Sequence, residues 1–238
     1  MKIQKKRYFT EAMLEILYED ECLIAINKPS GLLVHRTRIS EDEVFALQMV
    51  RRQIGVRVFP AHRLDRGTSG VLLFGKDTET AGFLGEQFRT RKVSKTYDAI
   101  VRGFLPEEGQ IDSPLLKERT GENQESLTTF RVVAQSECPW NVSRYPTSRY
   151  SRINIWPLTG RWHQIRRHFA HLRHPVIGDR RHGDCKHNNF FRDHLGISRM
   201  LLHAESLKFH HPHSGEEIQT RAIPDEEFRR ALDCLGLT

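Results

Sequence analysis

The sequence predicts an α+β fold: a mixed, largely antiparallel sheet flanked by helices and loops. Strand-length apolar runs are interspersed with amphipathic stretches of helical period, but without the strict strand–helix alternation that a parallel sheet needs. The 238 residues are enough for a sizeable core. No repeat, low-complexity tract or Gly/Ser- or Pro-rich linker divides them, so one domain over residues 14–238 is expected behind a basic leader, residues 1–13.

The elements can be justified in order. Residues 23–26 read as a short strand running into the turn Lys28-Pro29-Ser30-Gly31, and residues 32–34 as a second short strand. Ser40 and Glu43 have capping-box spacing, and Val44, Leu47, Val50 and Ile54 recur at helical spacing until Gly55 stops the run. Residues 62–70 form a polar, glycine-punctuated loop before a buried strand at 71–74; Ala81, Leu84 and Phe88 mark the next amphipathic helix. Further strands fit 95–101, 128–134, 152–156 and 201–209, and a third helix fits 161–173. Residues 184–198 read as a polar insertion with no assigned role.

Composition excludes several classes. Apolar residues make up 38% and charged residues 28%, a globular balance. The longest apolar runs fall far short of the roughly 20 residues of a membrane helix, and the mean hydropathy is −0.56. The basic start is followed by Glu11 and Glu15 rather than an apolar stretch, so it is no secretory signal, and a cytoplasmic protein is expected. Cys22, Cys138, Cys185 and Cys234 are scattered and read as reduced thiols. The net charge of +7 is unevenly placed: residues 161–181 hold six arginines, four histidines and the single acid Asp179, and the first ten residues hold Lys2, Lys5, Lys6 and Arg7 with no acid. A polyanion, nucleic acid above all, fits that distribution, although a merely solvated basic face has the same composition.

The segment AHRLDRGTSG places Asp65 between Arg63 and Arg66, in a loop whose Gly67 and Gly70 allow tight geometry. Flanking guanidiniums favour an ionised carboxylate able to act as nucleophile or base. The plain alternative is an aspartate that caps a turn. In TGRWHQIRRHFAHLRHPVIGDRRHG, a helix at about 100° per residue puts Trp162, Ile165, Phe169 and Leu172 on one stripe, Arg167 and His171 opposite, and Arg166 at the edge. An edge arginine can reach a partly buried carboxylate, whereas Arg167 meets phosphate or solvent. Tyr97 shares a strand face with Ala99 and Val101; it can be a core residue or a stacking platform for an unpaired base. Two signals are discounted. GVLLFGK (70–76) resembles a phosphate loop, but Asp77 stands in the Ser/Thr position and the middle is strand-forming. His168, His171 and His174, with His182, Cys185 and His187, match no paired zinc spacing, and interleaved arginines repel a cation, so no metal is expected.

Taken together, YEDECLIAINKPSGLLVH, HRLDRGTSG, KTYDAIV, TGRWHQIRRHFAHLRHPVIGD and LLHAESLKFHHP resemble, over residues 16–212 and in the same order, the pseudouridine synthases of the ribosomal large-subunit synthase A type. Within that family the chain is most similar to the branch acting on tRNA at uridine 65. The features behind this are the lack of an N-terminal S4 domain, the RYPTSRY segment, and Arg167 and Arg173 where most relatives carry an apolar residue and a glycine. His182 replaces the tyrosine common in the family's GDxxYG element.

The resemblance implies a pseudouridine synthase fold and a reaction that detaches uracil from ribose C1′, turns it and rejoins it through C5, with no cofactor or metal. It implies Asp65 as the catalytic carboxylate, by covalent attack or by a glycal-like route. It also implies Tyr97 against the uracil, helping to remove the C5 proton, and Arg166 holding Asp65 ionised and aimed. Arg63 would fill the space left by the extruded base, with His62, Arg66, Arg161, Arg167 and Arg173 as further RNA contacts. A tRNA substrate and a monomer are expected. The rivals are a synthase acting on ribosomal RNA, a non-catalytic RNA-binding protein, and a glycoside-cleaving enzyme, for which no second carboxylate stands out.

Overall fold

The computed structural model describes residues 13–36 and 44–238. The basic residues of the leader, and Ser40 and Glu43, lie outside them. In chain order the elements are β1 (Glu15–Glu19), β2 (Leu23–Lys28), α1 (Ala46–Ile54), β3 (Phe59–Pro60), β4 (Ser69–Gly75), α2 (Thr78–Arg89) and β5 (Ser94–Arg102). There follow β6 (Glu108–Asp112), β7 (Leu115–Leu116), β8 (Asn123–Gln124), β9 (Leu127–Cys138) and β10 (Ser148–Pro157). The chain ends with α3 (Gln164–His171), α4 (Cys185–Leu195), β11 (Leu202–His210), β12 (Glu217–Arg221) and α5 (Glu226–Leu235). They form two compact units, one from the described residues up to Ser94 with Ala204–Ile223, the other Lys95–His203 with Pro224–Thr238.

In the first unit the strand order is β1-β2-β4-β11, with β3 added on β4 and β12 on β11. β2 and β4 are antiparallel, with Ala25 opposite Leu73. Every residue of β4 is buried, as a strand covered on both faces requires, which is why its sequence is an unbroken apolar run rather than an alternation. Leu23, Ala25, Val71 and Leu73 pack with Leu84 of α2 and with Leu207 and Phe209 of β11. Asp77, which spoils the phosphate-loop pattern, caps α2: its side chain accepts the Thr80 N–H at 2.7 Å. α1 starts later than the capping-box spacing implies, with Phe45 at the N-cap and no side-chain cap, and ends at Gly55 in the left-handed conformation. Residues 32–34 are not a strand, because Leu33 makes only an isolated bridge to Phe45.

In the second unit β5, β10, β9 and β6 are neighbours in that order, all paired antiparallel. The alternation along β5 splits two cores. Ala99 and Val101 join Ile165 and Phe169 of α3, while Ile100 joins Phe191 of α4 and Phe228, Ala231 and Leu232 of α5. The third helix is shorter than the predicted 161–173. At its start the Gln164 Oε1 accepts the Arg161 N–H (2.9 Å) and the Thr159 hydroxyl (2.6 Å), tying 159–163 into a turn, and His163 is left-handed at φ 53°. At its end Arg173 is left-handed at φ 65° and the His174 N–H reaches back to the Phe169 carbonyl, a terminating motif that usually carries glycine. Trp162 therefore precedes the helix instead of extending its stripe, and Leu172 is exposed. The polar insertion is α4, capped by Asp184.

Candidate active site

Asp65 lies in the first unit, in the loop between β3 and β4. It opens a tight turn in which the Thr68 N–H donates to its carbonyl at 3.1 Å. The turn is clamped by the Lys-Pro-Ser-Gly segment: Gly31 N–H donates to Arg66 O (2.7 Å), the Ser30 hydroxyl to Gly67 O (2.7 Å), and Arg66 Nε to Gly31 O (3.1 Å). Lys28 is wholly buried, and its ammonium donates to the carbonyls of Pro29 (2.9 Å), Leu32 (2.8 Å) and Arg66 (3.4 Å). That is how a loop of polar backbone stays rigid beside a core. Beneath Asp65, Leu64 is buried. At Gly70, φ is +111° and a Cβ would stand 2.1 Å from the Ala204 carbonyl oxygen, so only glycine lets β4 start there. Asp65 is half-buried, and Arg63 and Arg66 are exposed. His62 is built into the scaffold: its Nε2 accepts the Leu73 N–H at 3.1 Å and its ring stacks on Phe88.

Tyr97 and Arg166 lie in the second unit. Tyr97 sits opposite Ile155 on β10 and packs, half-buried, against the cluster that includes Ile165 and Phe169, the apolar face of the helix carrying Arg166. Arg166 is buried in a two-pronged ion pair with Asp179: Nε to Oδ2 at 2.7 Å and Nη2 to Oδ1 at 2.8 Å. Burial pushes the Asp179 carboxyl up, but the bonds from Arg166 and from the His182 and Arg181 N–H groups outweigh it and hold the group below its ordinary value. Sequence reasoning missed Asp179, although it is the single acid in residues 161–181. It missed Lys28 as well, the one cation of a turn otherwise read as punctuation.

The remaining arginines of residues 161–181 also lie in the second unit. Arg167 bonds the Leu116 carbonyl at 3.0 Å, Arg161 the Glu125 carbonyl at 3.0 Å, and Arg181 lies over the Trp162 ring at 4.6 Å while pairing with Glu118. Arg173 and Arg180 are exposed. Four of the histidines discounted as zinc ligands have other partners: His168 bonds Thr128 and Ser113 O, His174 bonds Arg102 O, His187 bonds the Tyr150 hydroxyl, and His182 bonds His163.

Among the described residues, one other group has donor atoms suited to a cation: Asp20, Cys22 and His211 of the first unit, all within 4.8 Å. The His211 Nδ1 accepts N–H bonds from His213 and Ser214, which puts the ring proton on Nε2, aimed at Asp20 Oδ2 at 3.0 Å. Burial and the Asp20 charge push the Cys22 thiol up to about 11. A cation would have to displace both protons, and as it stands the trio is a hydrogen-bond network joining the β1–β2 and β11–β12 turns.

Residues 22–171 match the family described as RNA pseudouridylate synthase. The chain is 45% identical over 232 residues to tRNA pseudouridine synthase C of Vibrio vulnificus, covering 93% of this chain and 95% of that one. It is 46% identical over 235 residues to the protein of the same name from Pasteurella multocida, covering 94% and 96%. Among solved structures it resembles human RNA Pseudouridylate Synthase Domain Containing 1, with TM-score 0.70, 25% identity and coverage of 89% and 83%. It also resembles human RNA Pseudouridylate Synthase Domain Containing 4, with TM-score 0.73, 23% identity and coverage of 99% and 98%, which bears on the fold alone.

Proposed function

The chain belongs to the RNA pseudouridylate synthase family, and on that premise we propose that it isomerises one uridine of tRNA to pseudouridine, with uridine 65 as the target. The observation that carries the substrate is the identity of about 45%, over more than nine-tenths of both chains, to enzymes named tRNA pseudouridine synthase C. Asp65 acts at ribose C1′ as the N1–C1′ bond breaks; the uracil turns, C5 bonds C1′, and the C5 proton leaves with the help of Tyr97. Arg166 keeps the Asp65 carboxylate charged and aimed. In support, the Asp65 turn is held by four hydrogen bonds to the Lys28–Gly31 segment, the fixed placement a reacting group needs. Arg63 enters the space of the extruded base, and Arg66, Arg161, Arg167 and Arg173 meet phosphates; His62 supports the loop. On this reading residues 14–238 work as one catalytic domain, as a cytoplasmic monomer without metal or cofactor.

The test is release of hydrogen from uridine C5 in unmodified tRNA transcripts. Wild-type protein releases one equivalent, and Asp65→Asn, which keeps shape but loses charge and nucleophilicity, binds tRNA and releases none. Turnover by folded Asp65→Asn places the catalytic carboxylate elsewhere. Conversion of ribosomal RNA fragments while tRNA stays unmodified assigns the substrate to ribosomal RNA.

A further inference from the structure

Resting on the role proposed above for Arg166, we infer that Asp179 is its positioning residue, and that α4, the helix formed by the polar insertion, is the brace that holds Asp179 in place through Asn188. Asp179 is 1% exposed and takes the guanidinium along one edge. Two parallel bonds fix the plane of the group as well as its location, which a single bond would leave free to turn. Asp179 is itself fixed: Oδ1 also accepts the N–H groups of Arg181 (2.9 Å) and His182 (3.0 Å), locking the carboxylate to the backbone that follows it.

The turn carrying Asp179 is held from the other side by one amide. Asn188 Oδ1 accepts the Gly178 N–H at 2.7 Å, and Asn188 Nδ2 donates to the Asp179 carbonyl at 2.8 Å, so a single side chain clasps the backbone of two consecutive residues from both ends. On its other side the turn lies close against the Arg199–Met200 backbone, where at Gly178 (φ +79°) an added Cβ would stand 2.0 Å from the Arg199 carbonyl oxygen. α4 is anchored independently of Arg166. Its cap Asp184 pairs with Arg102 of β5, its His187 meets the Tyr150 hydroxyl of β10 at 3.0 Å in the interior, and its Phe191 is fully buried against Tyr150. The order of support runs from β5 and β10 through α4 and Asn188 to Asp179 and then Arg166. None of these helpers needs to touch the RNA.

The experiment is a double-mutant cycle on the full chain, with steady-state kinetics on a tRNA transcript. Asp179→Asn turns an amide N–H toward the guanidinium and should lower kcat about 100-fold, the effect of a misplaced group, with KM within about threefold of wild type. Asn188→Ala, a milder change on a half-buried helix position, should lower kcat about 10-fold with the same KM. In an Arg166→Gln background, adding Asn188→Ala should change the residual kcat by less than about twofold, because the helper has nothing left to position. Multiplying losses would show that Asn188 acts on the fold at large and would overturn the inference. In the wild-type protein the Arg166 Nε–H, assigned by its disappearance in Arg166→Gln, should give a sharp, slowly exchanging NMR signal that broadens in Asn188→Ala. That readout decides the matter even where Asp179→Asn does not fold, and an averaged wild-type signal refutes the fixed guanidinium. Full activity of Arg166→Gln would overturn the catalytic reading of Arg166. Inactive Arg166→Gln beside fully active Asp179→Asn and Asn188→Ala would overturn the positioning inference alone.

Discussion

Replacing Arg166 by methionine removes the guanidinium while keeping most of the side chain's length. Asp179, 1% exposed, then keeps the backbone N–H bonds of Arg181 and His182 on Oδ1, and Oδ2 loses the Arg166 Nε–H. Removing one member of a buried pair typically costs about 3–5 kcal/mol, because the remaining charge is left in a poor solvent. For a chain of this size each kcal/mol shifts the melting temperature by about 2 °C, so a fall of about 6–10 °C is expected near pH 7.5. The pH dependence identifies the cause. In the wild-type protein the Asp179 carboxyl is held low, so its contribution is present above the unfolded value of about 3.9 and is lost only as pH falls through the lower folded value. Without Arg166, burial dominates, the folded value rises above the unfolded one, and the variant is penalised increasingly as pH rises through about 4. Melting curves of both proteins from pH 5 to pH 8, followed by circular dichroism, should therefore converge toward the acid end. A gap below about 2 °C at pH 7.5, or one that stays constant with pH, would refute the reasoning.

Lys28→Met leaves the carbonyls of Pro29, Leu32 and Arg66 without their buried donor; stability should fall by about 2–4 kcal/mol in denaturant titrations, and kcat should fall as the Asp65 turn loosens. Arg173→Gly should raise stability by about 0.5–1 kcal/mol by relieving a left-handed arginine, yet weaken tRNA binding in a filter assay, because the same residue is an exposed cation. Burial holds His168, His182 and His187 below the ordinary histidine value, so their stabilisation is complete above about pH 6.5 and is lost as the unfolded chain takes up protons below it. The melting temperature should decline from pH 7 to pH 5.5, less steeply in His187→Gln. Because Arg166 is committed to Asp179, four or five arginines of residues 161–181 are left for phosphates, and the log–log salt slope of tRNA binding should be about −3 to −5; a flat response would remove this segment from the interface.

The sequence was legible wherever structure is set by neighbours along the chain. The apolar run at β4, the helical period behind α1 and α2, and the alternation of β5 are all patterns of neighbouring side chains, and each element stands within a few residues of its expectation. α5 was equally legible and went unread: Asp225 caps it through the Phe228 N–H, followed by Glu226 and Glu227 in the first turn. Two-residue strands such as β3 carry no period at all, and they exist only because a partner strand supplies the bonds.

For the site, the residue order by itself determined that Asp65 stands in a glycine-bounded loop between arginines, that Arg166 belongs to a helix edge, and that the basic charge gathers in one segment. Tertiary structure alone decided what holds them. Arg166 is paired with an aspartate thirteen residues away, Asp65's turn is clamped by a lysine from thirty-eight residues before Arg66, and the unassigned polar stretch is a helix whose Asn188 clasps the Asp179 turn. The physical reason is that helical and strand periods are written in the spacing of side chains. The partner of a buried charge is whichever group the folded chain brings within about 3 Å in a medium that screens poorly.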